Sequence, residues 1–165
     1  MKKNNEGFSL VELIIIIAIM AVLAVTLVTY SGMIGDSHAR KCAKAIENHL
    51  SETKVCAMSR TAAKMIVYAD SSGVYVTTVQ TGRGTETEKI GEKGLKVEYI
   101  DTRNSEAYIT VGTTQDTGVL IEFDRASGAC KKMADGKYCY GFKITTGDSV
   151  YKVVIEPLTG KTTVR

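Results

Sequence analysis

The chain has 165 residues, 44% of them hydrophobic and 24% charged, which suits one ordinary domain with an accessory segment and is too apolar for a disordered chain. The formal net charge is only +3, and the 21 lysines and arginines are scattered among 18 acids; a nucleic-acid-binding domain more often gathers its cations on one face or in one run. The four cysteines, Cys42, Cys56, Cys130 and Cys139, include no Cys-x-x-Cys pair, so the usual zinc and redox spacings are absent, while an extracytoplasmic location would permit two disulfides in any of three pairings.

Residues 1–7 are polar and carry Lys2 and Lys3 immediately before an apolar run over residues 8–28. That run is close to the ~20 residues a helix needs to span the hydrocarbon core, and the two lysines hold the N-terminus in the cytoplasm and send the rest of the chain across. A secretory signal would have a shorter apolar region followed by a small-x-small cleavage site, for which Ala18, Ala21 and Ala24 supply small residues. A plain signal anchor fits both length and charge. Neither accounts for Glu12, a carboxylate just inside the run. Such a charge costs roughly 2.5–3.5 kcal/mol at the centre of a membrane helix, less near its end, and an ionisable group in that position points to a function and to a cation that it meets.

The run Gly7-Phe8-Ser9-Leu10-Val11-Glu12-Leu13, continued by the apolar residues 14–25, resembles the N-terminal signature of type IV pilins and pseudopilins, over residues 2–28. The resemblance implies that a membrane-embedded aspartyl peptidase cuts between Gly7 and Phe8, where glycine lets an extended backbone enter a narrow cleft. It implies that the same enzyme N-methylates Phe8, and that Glu12 then pairs with the terminal amine of a neighbouring subunit. That pairing would neutralise two costly charges and set the register between subunits. Implied partners are this prepilin peptidase and N-methyltransferase, other pilin or pseudopilin subunits, an inner-membrane assembly platform with its ATPase, and the lipid bilayer as a reservoir. Many pilins carry a proline near the membrane exit; the one proline here is Pro157, and residues 29–36 instead contain Gly32 and Gly35, a place for local softening of a helix.

Asp36 or Ser37 is placed to cap a new helical stretch over residues 38–61. Within it Ala39, Cys42 or Ala43, Ile46, Leu50, Thr53 and Ala57 recur at three- and four-residue steps, a stripe that would pack on a sheet. The pilin resemblance implies that this stretch joins the first into one long helix. His38, Cys42, His49 and Cys56 invite a metal reading, but Cys42 and Cys56 stand ~21 Å apart along a straight helix and cannot share an ion or a disulfide with each other. Core-facing cysteines, or halves of two helix-to-head bridges, are the preferred reading.

Beyond residue 62 the pattern turns to β. Strands are expected at 64–68 and 74–79 around a turn at 70–73, then at 95–100, 107–111 and 119–123, with 82–85 as a loop and 124–128 as a turn. Asp135-Gly136 marks a hairpin whose arms carry Cys130 and Cys139, which could bridge across it depending on register. Strands at 138–144, 150–155 and 161–164 close the chain around a turn at 157–160. The expected fold is α+β: a long N-terminal helix, membrane-spanning in its first half, packed on an antiparallel β-sheet head. The expected divisions are a leader at 1–7, a transmembrane and assembly helix at 8–30, the soluble part of the helix at 31–61 and an extracytoplasmic head at 62–165. The helix, the following strand pair, Leu120-Ile121-Glu122-Phe123 before a glycine turn and a closing hairpin ending in Thr159-Gly160-Lys161 also resemble H-type minor pseudopilins of type II secretion and competence systems.

No HExxH, GxSxG or Walker loop occurs, and the aspartates fall at turn-like places without an Asp-x-Asp-x-Asp calcium loop. The sequence therefore reads as a non-enzymatic structural subunit without a cofactor: a minor pilin or pseudopilin assembled, after leader cleavage, into a type IV pilus or a type II secretion or competence pseudopilus. The alternative is a filament-tip adhesin or DNA receptor, whose only sequence support is the cluster Lys131, Lys132 and Lys137. A third reading is a membrane-anchored domain that never polymerises.

Overall fold

The computed structural model describes residues 9–59, 61–103 and 107–165, with the backbone alone for 25–34. A single helix, α1 (Leu10–Met58), is followed by β1 (Ala63–Ala69), β2 (Gly73–Gln80), β3 (Gly84–Glu92), β4 (Lys96–Ile100), β5 (Ile109–Thr110), β6 (Val119–Glu122), β7 (Gly141–Thr146), β8 (Ser149–Glu156) and β9 (Lys161–Val164). The chain divides into two units, Met1–Ile34 and Gly35–Arg165.

In the second unit the helical stripe is buried as its spacing predicts: Ala39, Cys42, Ala43, Ile46, Leu50, Thr53 and Ala57 are each no more than 2% exposed. Thr53, the one polar member, donates its hydroxyl to the carbonyl of His49 at 2.7 Å, so no buried polar group is orphaned there. The expected cap at Asp36 or Ser37 is not formed. Helix runs unbroken through both residues, so the amide groups that a cap would serve already have carbonyl partners one turn back. Asp36 instead accepts a hydrogen bond from the Tyr151 hydroxyl at 2.9 Å. Gly35 is likewise a close-approach position: a Cβ there would stand 3.3 Å from the Thr146 hydroxyl.

The strands form two antiparallel sheets, one ordered β3-β2-β1-β6 and one ordered β5-β4-β7-β8-β9. Strand alternation turns Met65, Val67, Val74, Val76 and Ile121 of the first inward, and Val97, Phe142, Ile144, Val153 and Ile155 of the second; all join the helical stripe in one core. Fully burying a large aliphatic side chain contributes about 1.5–3 kcal/mol, so this shared core holds both sheets to one helix face.

The strand expected at 107–111 shortens to the two residues of β5. The expected loop at 82–85 is instead a turn leading into β3, an edge strand whose first six residues are exposed. The Asp135-Gly136 turn forms, with Gly136 at φ 81° and Met133 donating to the carbonyl of Lys137 at 2.8 Å. Its arms, however, are not a strand pair: Cys130 makes an isolated bridge with Phe123, and β7 starts only at Gly141. In the last turn Gly160 sits at φ 59°, where a Cβ would come within 2.1 Å of the Gly128 carbonyl oxygen, a conformation and a contact that both exclude a side chain.

Leu50→Ala is expected to cost about 2–5 kcal/mol and Gly160→Ala at least 1 kcal/mol or so, whereas Val55→Ala, on the exposed side of the same helix, stays within about 0.5 kcal/mol. Denaturant midpoints of the full chain in detergent check all three.

Candidate functional site

The first unit offers an unusual surface. Every large apolar side chain between residues 10 and 23 is exposed, from 45% at Ile16 to 75% at Leu10. The helix is apolar on all sides here, which in water is the mark of a segment meant to be surrounded by lipid or protein. Among the described residues no helix is long and apolar enough to cross a membrane; the span expected over 8–30 takes in Phe8 and the side chains of 25–30, which lie outside them.

Glu12 stands in the first turn of α1 and makes no ion pair among the described residues. Ile15 and Ile16, three and four positions on, share its face, so one carboxylate is set in an apolar surface. Ser9 precedes the helix, and its carbonyl accepts the first helical bond, from Leu13 at 3.2 Å. Ser9-Leu10-Val11-Glu12 thus has the spacing of a capping box, and the helix N-terminus itself favours a carboxylate at this place. This local role was legible in the Ser-x-x-Glu spacing. The expected cleavage bond between Gly7 and Phe8 and the methylated Phe8 lie outside the described residues.

The four cysteines are all free thiols. Cys42 is packed so that a Cβ on Gly91 would meet its sulfur at 3.0 Å, and burial pushes its thiol up to about 12. Burial likewise raises Cys130 to about 11 and Cys139 to about 12. Cys56 alone is half-exposed. The helical histidines and cysteines do not converge: Cys42 faces the core, and His49 Nε2 lies 3.2 Å from Glu88 Oε2. Among the described residues no three metal-ligating side chains stand together.

The three lysines proposed for DNA are separately engaged. Lys131 pairs with Glu122 at 3.3 Å, Lys137 pairs with Asp101, and Lys132 lies over the Tyr138 ring at 5.6 Å. The Lys137 partnership lowers the Asp101 carboxyl and raises the lysine. Turn aspartates are also spent locally. The Asp70 carboxylate accepts from the Ser72 hydroxyl at 2.6 Å and the Ser72 amide at 2.7 Å, and these bonds hold its carboxyl below the usual range.

A family described as the prokaryotic N-terminal methylation motif matches residues 2–28. No curated protein and no solved structure gave a significant match to the chain.

A buried thiol with a raised pKa holds almost no thiolate near neutrality and is a poor nucleophile. The reduced, folded chain is therefore expected to take one maleimide, at Cys56, and four after denaturation, as read by intact mass and peptide mapping; rapid labelling of Cys42 or Cys139 in the folded chain would contradict the packing.

Proposed function

From an N-terminus of the type IV pilin and pseudopilin family, we propose that this chain is a minor pilin or pseudopilin, a structural subunit that leaves the membrane to enter a filament. The observation that carries the reading is the helix apolar on every side with one carboxylate near its start. Such a helix is at home in lipid, and equally at home among copies of itself. Moving it from one to the other changes its apolar contacts little, because lipid tails are as apolar as the side chains; the polar groups decide the direction.

Cleavage between Gly7 and Phe8 would remove Lys2 and Lys3, the charges that hold the precursor to the cytoplasmic side, and would create an α-amine at Phe8. Methylation keeps that amine a cation. Glu12 of one subunit and the amine of its neighbour then satisfy each other inside the filament, where either alone would be a costly buried charge. The platform and its ATPase supply the work of extraction, and the β-rich head is carried outward. The system is a type IV pilus or a type II secretion or competence pseudopilus, with the subunit acting by extrusion and assembly rather than by catalysis.

In the native host the mature chain is expected to start at Phe8 and to be heavier by one methyl group, and in a strain lacking the prepilin peptidase to start at Met1, as read by intact mass and N-terminal sequencing. Glu12→Ala is expected to spare insertion and processing but to lower the sheared filament fraction by an order of magnitude or more. A chain that starts at Met1 in both strains, or a Glu12→Ala chain that assembles normally, would leave a membrane-anchored domain that does not polymerise by this mechanism.

A further inference from the structure

The head carries two faces of opposite sign, one on each of its two sheets. On the outward side of the second sheet, Lys143 of β7 stands directly opposite Lys152 of β8. Like charges directly opposite on one face are unfavourable, and here they are tolerated because both lie over the Tyr108 ring, at 4.3 and 5.9 Å. Glu98 of β4 is register partner to Lys143 and is only 7% exposed. It is already shared between Lys96 at 2.7 Å and Lys143 at 3.8 Å. One nearly buried carboxylate therefore serves a face of three lysines, and among the described residues Lys152 makes no ion pair with an acid.

The opposite sign gathers at the edge of the first sheet. A hollow of about 260 Å³ between α1 and the β2–β3 pair is lined by three acids, Glu52 of the helix and Glu86 and Glu88 of β3, together with His49 and Arg83. Glu86 and Glu88 are two residues apart on one strand and so share a face. The Glu88 side chain is 62% exposed despite its contact with His49. This is again a cluster of like charge, larger than its local cations neutralise.

We propose that these faces bind one another between successive copies of this chain, the lysine face of one head against the Glu86–Glu88 edge of the next. Both patches hold local repulsion that an incoming opposite charge relieves, which favours correct pairing and register. Because the two patches are different surfaces, the contact is head-to-tail, and a head-to-tail contact that does not close on itself propagates as an open array. A second copy is the occupant that this complementarity selects, since each chain displays both halves. The inference rests on the proposed filament, to which it adds a contact between heads.

The test uses the full chain in filaments from its native host, prepared from mixed ordinary and ¹⁵N-labelled cells and coupled with a zero-length carbodiimide. Mixed-isotope peptides joining Lys143 or Lys152 to Glu86 or Glu88 are expected. The reversal Lys152→Glu, and the paired reversal Glu86→Lys with Glu88→Lys, are each expected to lower filament yield about tenfold, and all three changes in one chain to restore it; Lys143, which holds the buried Glu98, is left unchanged. Lys152, Glu86 and Glu88 are all exposed, and unchanged denaturant midpoints verify that the head still folds. Wild-type filaments lacking these cross-links, or a three-fold variant no better than the separate reversals, would overturn the proposal while leaving the filament reading intact. If the wild-type chain forms no filament, that reading falls first. The same cross-links are then sought in concentrated full chains in detergent micelles, where their absence overturns the head contact as well.

Discussion

Both sheets of the head depend on one stripe of side chains. From Ala39 to Ala57 the helix turns a narrow, almost wholly apolar seam into the core, and among the described residues neither sheet has another helix on which to close its inner face. A four-stranded and a five-stranded sheet would each leave a row of valines and isoleucines in water without it. The small members of the seam, Ala39, Ala43 and Ala57, let strands approach the helix closely, while Ile46 and Leu50 fill the space between. Packing of this density tolerates little change in volume, so the seam determines where the strands can lie.

The same helix is used in a second and opposite manner nearer its start. There the apolar residues do not form a seam but surround the axis, and the carboxylate of Glu12 interrupts them. A stripe is complete once it meets its own head. An all-round apolar surface remains incomplete in a single chain and must find its partner outside. The contrast separates what the molecule does for its own stability from what it offers to lipid or to other subunits.

Much of this was legible in the sequence. The seam follows a 3.6-residue period with few exceptions, so its members could be named one by one, and the methylation signature is carried by contiguous residues that need no structure to be seen. What escaped detection depended on distant pairing. β6 joins β1 and β4 joins β7 across long stretches of chain, which local patterns do not report, so the division of the strands between two sheets was not legible. β3 was missed because an exposed edge strand carries Thr, Glu and Lys in place of alternating apolar residues, the composition by which edges avoid unwanted pairing. Cys130 opposes Phe123 rather than completing a hairpin with Cys139, a register that a turn motif alone does not determine. Gly35 read as a softening point, yet its bareness accommodates Thr146 from a strand more than a hundred residues later.

The closing turn links the end of the chain to its beginning. Cys130 donates its amide to the carbonyl of Pro157 at 2.7 Å, Lys54 donates to the carbonyl of Thr159 at 2.8 Å, and Gly160 lies against Gly128. Contacts between residues so far apart in sequence form late and carry a high entropic cost of closure. The head therefore cannot complete itself while the chain is still emerging. Its last residues must arrive before the end of α1 and the 124–130 segment acquire their final neighbours, so the seam stays exposed until the chain is complete. Folding of the head is thus delayed to the end of the chain, and that interval is when it is most open to proteases and chaperones.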